Sequence, residues 1–208
     1  SQHYRERFGE KVFKVSISVA DTCPNRGTRN GTAVCIFCDE WGSAAYHQFR
    51  GHSMLNQIKI NREAVRKRYR AEKFLIYFQA YTNTFGRFSE LESLYQAALK
   101  EKDVVGIVVG TRPDCLPKRV LQKFAEIAQE NYLSVELGVQ TFDDSQLRFL
   151  SRGHDSASSL NAIRNLKTLP EVNLCVHLMF GLPDETDTQI CETAEILSEH
   201  EVDGVKLH

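Results

Sequence analysis

Six short apolar runs alternate with longer amphipathic stretches along the chain, and this alternation limits the available folds more than any other feature. The runs cover 12–19, 74–80, 104–110, 134–141, 173–181 and 204–208, all rich in Val, Ile, Leu or Phe and all of strand length. Between them the apolar residues fall at helical spacing. Leu55, Ile58, Val65 and Tyr69 form one such pattern, and Leu91, Leu94, Tyr95, Ala98 and Leu99 a second. Ser89 and Glu92 predict a capping box at the start of the second helix. Pro117 is predicted at the first position of a third, ahead of Val120, Leu121, Phe124 and Ala128. Two further helices are expected around 160–166 and 190–197. Strands and helices in this order make βαβ units and a parallel sheet. No linker or low-complexity stretch divides the chain, so residues 1–11 are read as an N-terminal extension and 12–208 as one core domain.

The parity within each run separates two kinds of parallel sheet. One alternate set is apolar: Val15, Ile17 and Val19, then Ile76, Phe78 and Ala80, then Val105, Ile107 and Val109, then Val135, Leu137 and Val139, then Leu174, Val176 and Leu178, then Val205 and Leu207. The other set holds Ser16, Ser18, Tyr77, Gln79, Tyr81, Gly106, Gly110, Arg112, Glu136, Gly138, Gln140, Cys175, His177, Lys206 and His208. A doubly wound sheet is covered on both faces and shows continuous apolar runs. A closed eight-stranded barrel fills its interior with branched apolar side chains. A polar face on every strand instead fits a sheet curled around a wet lumen, and six strands are too few to close. The expected fold is α/β: an open, partial (β/α)6 barrel of TIM type with helices outside only.

The chain has 208 residues, 42% hydrophobic and 25% charged, which excludes a disordered or fibrous protein. No apolar run approaches the ~20 residues of a membrane span, and no membrane partner is expected. A net charge of -1 excludes a globally basic nucleic-acid binder. One stretch is locally basic, with Lys59, Arg62, Arg66, Lys67, Arg68, Arg70 and Lys73 against Glu63 and Glu72. It reads as the solvated face of an outer helix in preference to an RNA dock. Of the six cysteines, Cys23, Cys35 and Cys38 crowd one polar segment while Cys115, Cys175 and Cys191 are scattered. That usage suits a cytoplasmic protein with one metal or redox site.

The crowded segment directly follows the first strand, at the end where parallel β/α folds build their sites. Cys35 and Cys38 form a CxxC pair, and Gly27 and Gly31, with Pro24, Asn25 and Asn30, give a preceding loop free to wrap. Two chemistries fit three thiols. A [4Fe–4S] cluster on three cysteines keeps one iron open for an exogenous ligand. Structural zinc would need a fourth ligand such as His47 or His52.

A three-cysteine loop after strand one, with Phe37 just before its last cysteine, resembles the radical S-adenosylmethionine (radical SAM) superfamily. Eleven residues separate Cys23 from Cys35, against the usual three of the superfamily. This wider spacing resembles the branch of the Elongator catalytic subunit, and within it the bacterial YhcC-like proteins. The same branch is matched by YFQAYTNT at 77–84, GTRPDCL at 110–116, ELGVQT at 136–141, RGH at 152–154 and FGLP at 180–183. Since family members usually continue further, the chain reads as a core lacking their C-terminal part.

The resemblance implies an enzyme with a [4Fe–4S] cluster on Cys23, Cys35 and Cys38. It implies reductive cleavage of S-adenosylmethionine to a 5′-deoxyadenosyl radical that abstracts hydrogen from a substrate. The substrate is not specified, RNA being one candidate, and a flavodoxin or ferredoxin is the implied electron donor. S-adenosylmethionine is expected against Phe37, Tyr81, Thr82, Asn83, Gln140 and Arg152. The family's glycine-rich motif after strand two is replaced by Tyr81, Thr82, Asn83 and Thr84. Arg152 is expected on the methionine carboxylate and Gln140 on the cofactor. Cys115 is a weak candidate for a catalytic hydrogen donor, more often simply a small buried side chain. Cys175 and His177 point inward by parity, and His177 reads as a hydrogen-bonded structural residue. The alternative function is a zinc-stabilised RNA-binding module without catalysis.

Overall fold

A computed structural model describes residues 2–26, 34–44 and 51–208. Six strands form one sheet in the order of the chain: β1 (Val12–Ile17), β2 (Lys73–Phe78), β3 (Val104–Thr111), β4 (Tyr132–Gln140), β5 (Val172–Leu178) and β6 (Gly204–Leu207). Every neighbouring pair is parallel. The helices are α1 (Gln2–Phe8), α2 (Met54–Tyr69), α3 (Phe88–Leu99), α4 (Lys118–Glu130), α5 (Asp144–Phe149), α6 (Ser156–Lys167) and α7 (Asp187–Glu199). The sheet curls into an open half-barrel, so that side chains from β2 to β6 line one cavity. No described helix is long and apolar enough to cross a membrane.

The outward apolar set of β1 to β5 makes the main core, whereas Val205 and Leu207, expected on the same face, lie on the edge strand β6 and are exposed. Val15, Ile17, Ile76, Phe78, Ile107, Val109 and the alternate residues of β4 and β5 pack with Ile58, Tyr95, Phe124 and Ile163 from the outer helices. A smaller inner cluster closes the other end of the lumen. Val12, Leu75, Tyr77, Val108 and Tyr132 meet there, with Tyr4 and Phe8 of α1 packed below. The ring of Tyr132 stands edge-on to those of Tyr4 and Phe8, at centroid distances of 6.0 and 5.5 Å. The inner face is therefore polar only in its upper part, with an apolar floor.

Local details differ from the sequence expectations in four places. Val105, assigned to the outer face, packs against the inner cluster, because the β2–β3 register shifts between Phe74 and Leu75. No capping box forms at Ser89 and Glu92: Arg87 is the N-cap of α3, two residues before the expected cap, and Glu92 pairs with Lys123 on α4. The capping box lies instead at Thr186 and Gln189, opening α7. Pro117 is the N-cap of α4 and not its first helical residue.

Candidate active site

A cavity of about 320 Å³ opens at the C-terminal ends of the strands. Of the inward set, Tyr77, Gln79, Tyr81, Gly110, Arg112, Glu136, Gly138, Gln140, His177, Lys206 and His208 line it, while Ser16, Ser18, Gly106 and Cys175 do not. Cys23, Cys35, Cys38 and Phe37 complete the wall from the loop after β1. Gly27, Asn30, Gly31 and His47 lie outside the described residues. His52 is described and does not line this cavity.

Each of the three thiols faces a different guanidinium. Arg26 Nη2 is 3.1 Å from Cys38 Sγ, Arg152 Nη1 is 3.6 Å from Cys35 Sγ, and Arg112 Nη1 is 3.8 Å from Cys23 Sγ. Two neutral donors add to them: Asn25 Nδ2 lies 3.2 Å from Cys35 Sγ, and Thr82 Oγ1 lies 3.3 Å from Cys23 Sγ. Among the described residues, no three His, Cys, Asp or Glu side chains converge on one ion position. A cubane cluster takes each thiolate on a separate iron, so its ligands surround a volume instead of meeting at a point. Five N–H and O–H donors around three sulfurs suit anionic sulfur ligands.

The local backbone explains this convergence. Asn25 Nδ2 also donates to the carbonyls of Ser151 and Arg152, at 2.8 and 3.0 Å, and so ties the cysteine loop to the turn after α5. Gly153 there has φ +75°, and a Cβ on it would stand 2.7 Å from Asn25 Oδ1. Ile36 N–H donates to Leu150 O at 3.2 Å and fixes the second part of the loop.

Arg152 is 7% exposed and is held by Nη2 donating to Gly138 O at 2.8 Å. A side chain at Gly138 would place Cβ 2.7 Å from that Nη2 and 2.9 Å from Gln140 Nε2. Gly138 thus clears the space that both side chains use. Gln140 ends β4 with φ +76°, where the β4–β5 register shifts. Side chains other than glycine rarely adopt this conformation, and such strain concentrates at functional sites. The Arg152 guanidinium lies over the Phe37 ring at 5.7 Å. Its buried Nε has no hydrogen-bond partner, and no carboxylate among the described residues pairs with it. Burial and the charge of Arg112 both lower its pKa, as expected for a cation short of anions.

Of the other expected residues, Tyr81 and Thr82 line the cavity and Asn83 and Cys115 do not. Asn83 Nδ2 donates to the carbonyls of Phe78, Ala80 and Gly110, and Asn83 does not line the cavity. Its side chain braces the end of β2 against β3. Cys115 is also outside the lining, and burial together with Asp114 pushes its thiol up to about 12. Tyr81 lines the cavity, and its hydroxyl donates to Glu40 O at 3.0 Å. Cys191 is exposed on α7. On α2, Arg62 pairs with Glu101, and Arg66 with Glu63 and Asp103, so part of the basic stretch is neutralised within the protein.

Below the cysteine level, Glu136 organises the lumen. Its side chain is 1% exposed, and its Oε2 accepts from His177 Nε2 at 2.7 Å, while Lys14 Nζ donates to Oε1. Burial alone would raise its pKa, but hydrogen bonds from His177, Lys14 and Tyr77 and the charge of Lys14 hold it well below the usual carboxylate range. Lys206 Nζ lies 3.9 Å from Oε2. Arg26, Arg112 and Lys14 were not expected as site residues from sequence, and Asn25, expected only to free the loop, instead pins it. The signal for Asn25 and Arg26 is their position just after Cys23. For Arg112 it is membership of the inward set, and for Lys14 it is the parity that precedes Ser16.

The family model described as the Radical SAM superfamily matches residues 17–197. The chain belongs to the radical SAM superfamily. Among curated relatives, it is 38% identical over 208 residues to protein YhcC of Escherichia coli, covering 97% of this chain and 64% of that protein. To the uncharacterized protein YtqA of Bacillus subtilis it is 34% identical over 206 residues, with 99% of this chain and 64% of the relative covered. The chain thus spans 64% of the length of these relatives. Among solved structures, the archaeal Methanocaldococcus infernus Elp3 with an N-terminal deletion shares the fold at a TM-score of 0.67 and 17% identity, covering 95% of this chain and 45% of Elp3. Coproporphyrinogen III oxidase (HemN) of Escherichia coli, described as a radical SAM enzyme, gives a TM-score of 0.57 at 15% identity, covering 95% of this chain and 44% of HemN. The superfamily match and the shared half-barrel agree with the resemblance read from the motifs.

Proposed function

We propose that this chain is the core of a radical SAM enzyme in which Cys23, Cys35 and Cys38 hold a [4Fe–4S] cluster beside bound S-adenosylmethionine. The observation that carries the reading is the set of three thiols in one cavity, each faced by its own guanidinium. When loaded, such a site supplies one-electron cleavage of S-adenosylmethionine to methionine and a 5′-deoxyadenosyl radical, which takes a hydrogen atom from the substrate. The substrate, the flavodoxin- or ferredoxin-like electron donor and the cytoplasmic location belong to this proposal as well.

The chain's own residues have separable tasks. Arg152 offers a buried cation, with an unpartnered Nε, to a carboxylate; such a bond is charge-assisted and accordingly strong. Gln140 brings an amide, both donor and acceptor, to the strand end, and Phe37 covers the guanidinium with an apolar face. Tyr81 and Thr82 line the wall on the β2 side, where the family motif is replaced. The deep wall of Tyr77, Glu136 and His177 is left for substrate.

The test is anaerobic reconstitution followed by iron and sulfide analysis. Four irons and four sulfides per chain are expected, with brown colour. Stoichiometric zinc without sulfide would overturn the proposal and favour the zinc-stabilised RNA-binding alternative.

A further inference from the structure

The lumen wall farthest along the sheet from the cysteine loop has a donor surplus. Glu136 is the carboxylate of this wall, and its oxygens are already engaged by Lys14, His177 and Tyr77. Lys206 has no hydrogen-bond acceptor among the described residues, its nearest carboxylate oxygen being 3.9 Å away. His177 turns Nε2 to Glu136, leaving Nδ1 without a described partner. His208 stacks at a tilt on His177, with centroids 5.2 Å apart, and neither of its ring nitrogens has a described hydrogen-bond partner. Its backbone is fixed, with N–H donating to Leu178 O at 2.9 Å and O accepting from Phe180 N–H at 3.3 Å. What this wall still offers a ligand is one ammonium and imidazole nitrogens.

We infer that Lys206, His177 and His208 form a subsite for an oxyanion of the substrate, a carboxylate or a phosphate group, with Glu136 acting as the positioning residue for His177. This deepens the reading above, because it names the chemical class of the substrate end that the lumen holds. Three observations support it. Glu136, the carboxylate among the described residues lining the cavity, already accepts from Lys14, His177 and Tyr77, so three donors engage it before any cationic ligand could. The ammonium and both imidazoles line the cavity that contains the cysteines. The pKa of His208 is lowered first by burial and then by His177 and Lys206, with Glu136 opposing them less, so the groups on this wall act on the ring as net positive neighbours. The anchor lies on β5 and β6 while the cysteine loop follows β1, so a ligand gripped here extends toward the loop across the lumen.

The experiment is a titration of the full chain with inorganic phosphate and, separately, acetate, followed by the ring NMR signals of His177 and His208. It needs neither iron nor radical chemistry. Iron and sulfide analysis of the same reconstituted preparation reports separately on the proposed function. Saturable shifts of both histidines are expected, with Lys206→Met weakening the apparent affinity about tenfold and Lys206→Arg retaining most of it. Preference between the two anions identifies the substrate group as phosphate or carboxylate. Absence of a saturable shift, or shifts of equal midpoint in Lys206→Met, would overturn the subsite even if the cluster forms normally. A Glu136→Gln variant provides the second reading: a loss of anion response at His177 but not at His208 is expected if Glu136 acts by orienting His177, and an unchanged response at both overturns that role.

Discussion

Arg112 turns one guanidinium nitrogen toward the sulfur of Cys23, at 3.8 Å, while its other two nitrogens hold Asp114 at 2.9 Å each. The carboxylate therefore fixes the direction in which the positive charge is delivered, and its own pKa is held down by the hydrogen bonds and charge of Arg112 despite partial burial. Hydrogen bonds and positive charge near cluster sulfurs favour the reduced, more negative state. Arg112→Met and Arg26→Met are each expected to move the reduction potential of the reconstituted cluster to more negative values by tens of millivolts, since about 59 mV corresponds to a tenfold change for one electron. Electron paramagnetic resonance of a redox titration measures this. Arg26 is half-buried, so its variant controls against loss of packing at the fully buried Arg112.

Arg152 and Gly138 should act on the same binding event. Removing a charge-assisted bond costs roughly 1.5–3 kcal/mol, so Arg152→Ala is expected to weaken S-adenosylmethionine about tenfold or more. Gly138→Ala crowds the tips of Arg152 and Gln140 and should weaken binding in the same direction with cluster content unchanged. Calorimetry on reconstituted protein gives both values, and unchanged affinity in Arg152→Ala removes that residue from the cofactor site.

Glu136 carries stability as well as function. Glu136→Ala leaves Lys14 and His177 without their acceptor inside the barrel, and an unmet buried donor costs about 1–3 kcal/mol. Urea unfolding should show a lower midpoint for this variant than for Glu136→Gln, which keeps one acceptor oxygen.

His154 follows Arg152 by two residues and is half-buried beside it. Burial and then the charge of Arg152 depress its pKa to about 4, from an ordinary value of 6.5. The folded state thus holds a neutral imidazole that the unfolded chain protonates first. Its contribution is complete above pH 6.5 and is lost as pH falls toward about 4. His154→Gln should flatten the stability profile within that window and leave it unaltered above pH 7, as read from urea midpoints at successive pH values.

The outer face of the sheet was legible because burial against helices demands apolar side chains at every second residue, and Ile76, Ile107, Leu137 and Val176 obey that demand. Parity also places Glu136, Gln140, His177 and Lys206 on the inner face, where the structure has them. It failed at Val105, where a register shift exchanges faces without a local sequence mark. It also gave no warning of the apolar floor, since Leu75 and Val108 belong to runs apolar on both parities. The guanidiniums facing the thiols were hidden for a different reason. Arg112 and Arg152 lie far from Cys23 and Cys35 in sequence; bonds from Asn25 and Ile36 to the turn after α5 bring Arg152 to Cys35, and the end of β3 carries Arg112 to Cys23. Ser89 and Glu92 had the spacing of a cap, but α3 opens at Phe88 with Arg87 as its N-cap, which places Ser89 inside the helix and leaves Glu92 to pair with Lys123.

The alternation along the strands divides labour between neighbouring codons. On β4, Val135, Leu137 and Val139 belong to the packing against the helices, while Glu136, Gly138 and Gln140 face the ligand space. Substitutions at one parity can therefore retune what the lumen accepts without repacking the core. A one-residue deletion inside the same strand would exchange the two sets at once, sending Glu136 toward the helices and a valine toward the ligand. Lineages of this half-barrel are thus free to drift by replacement along their strands, whereas changes of length must be confined to the loops.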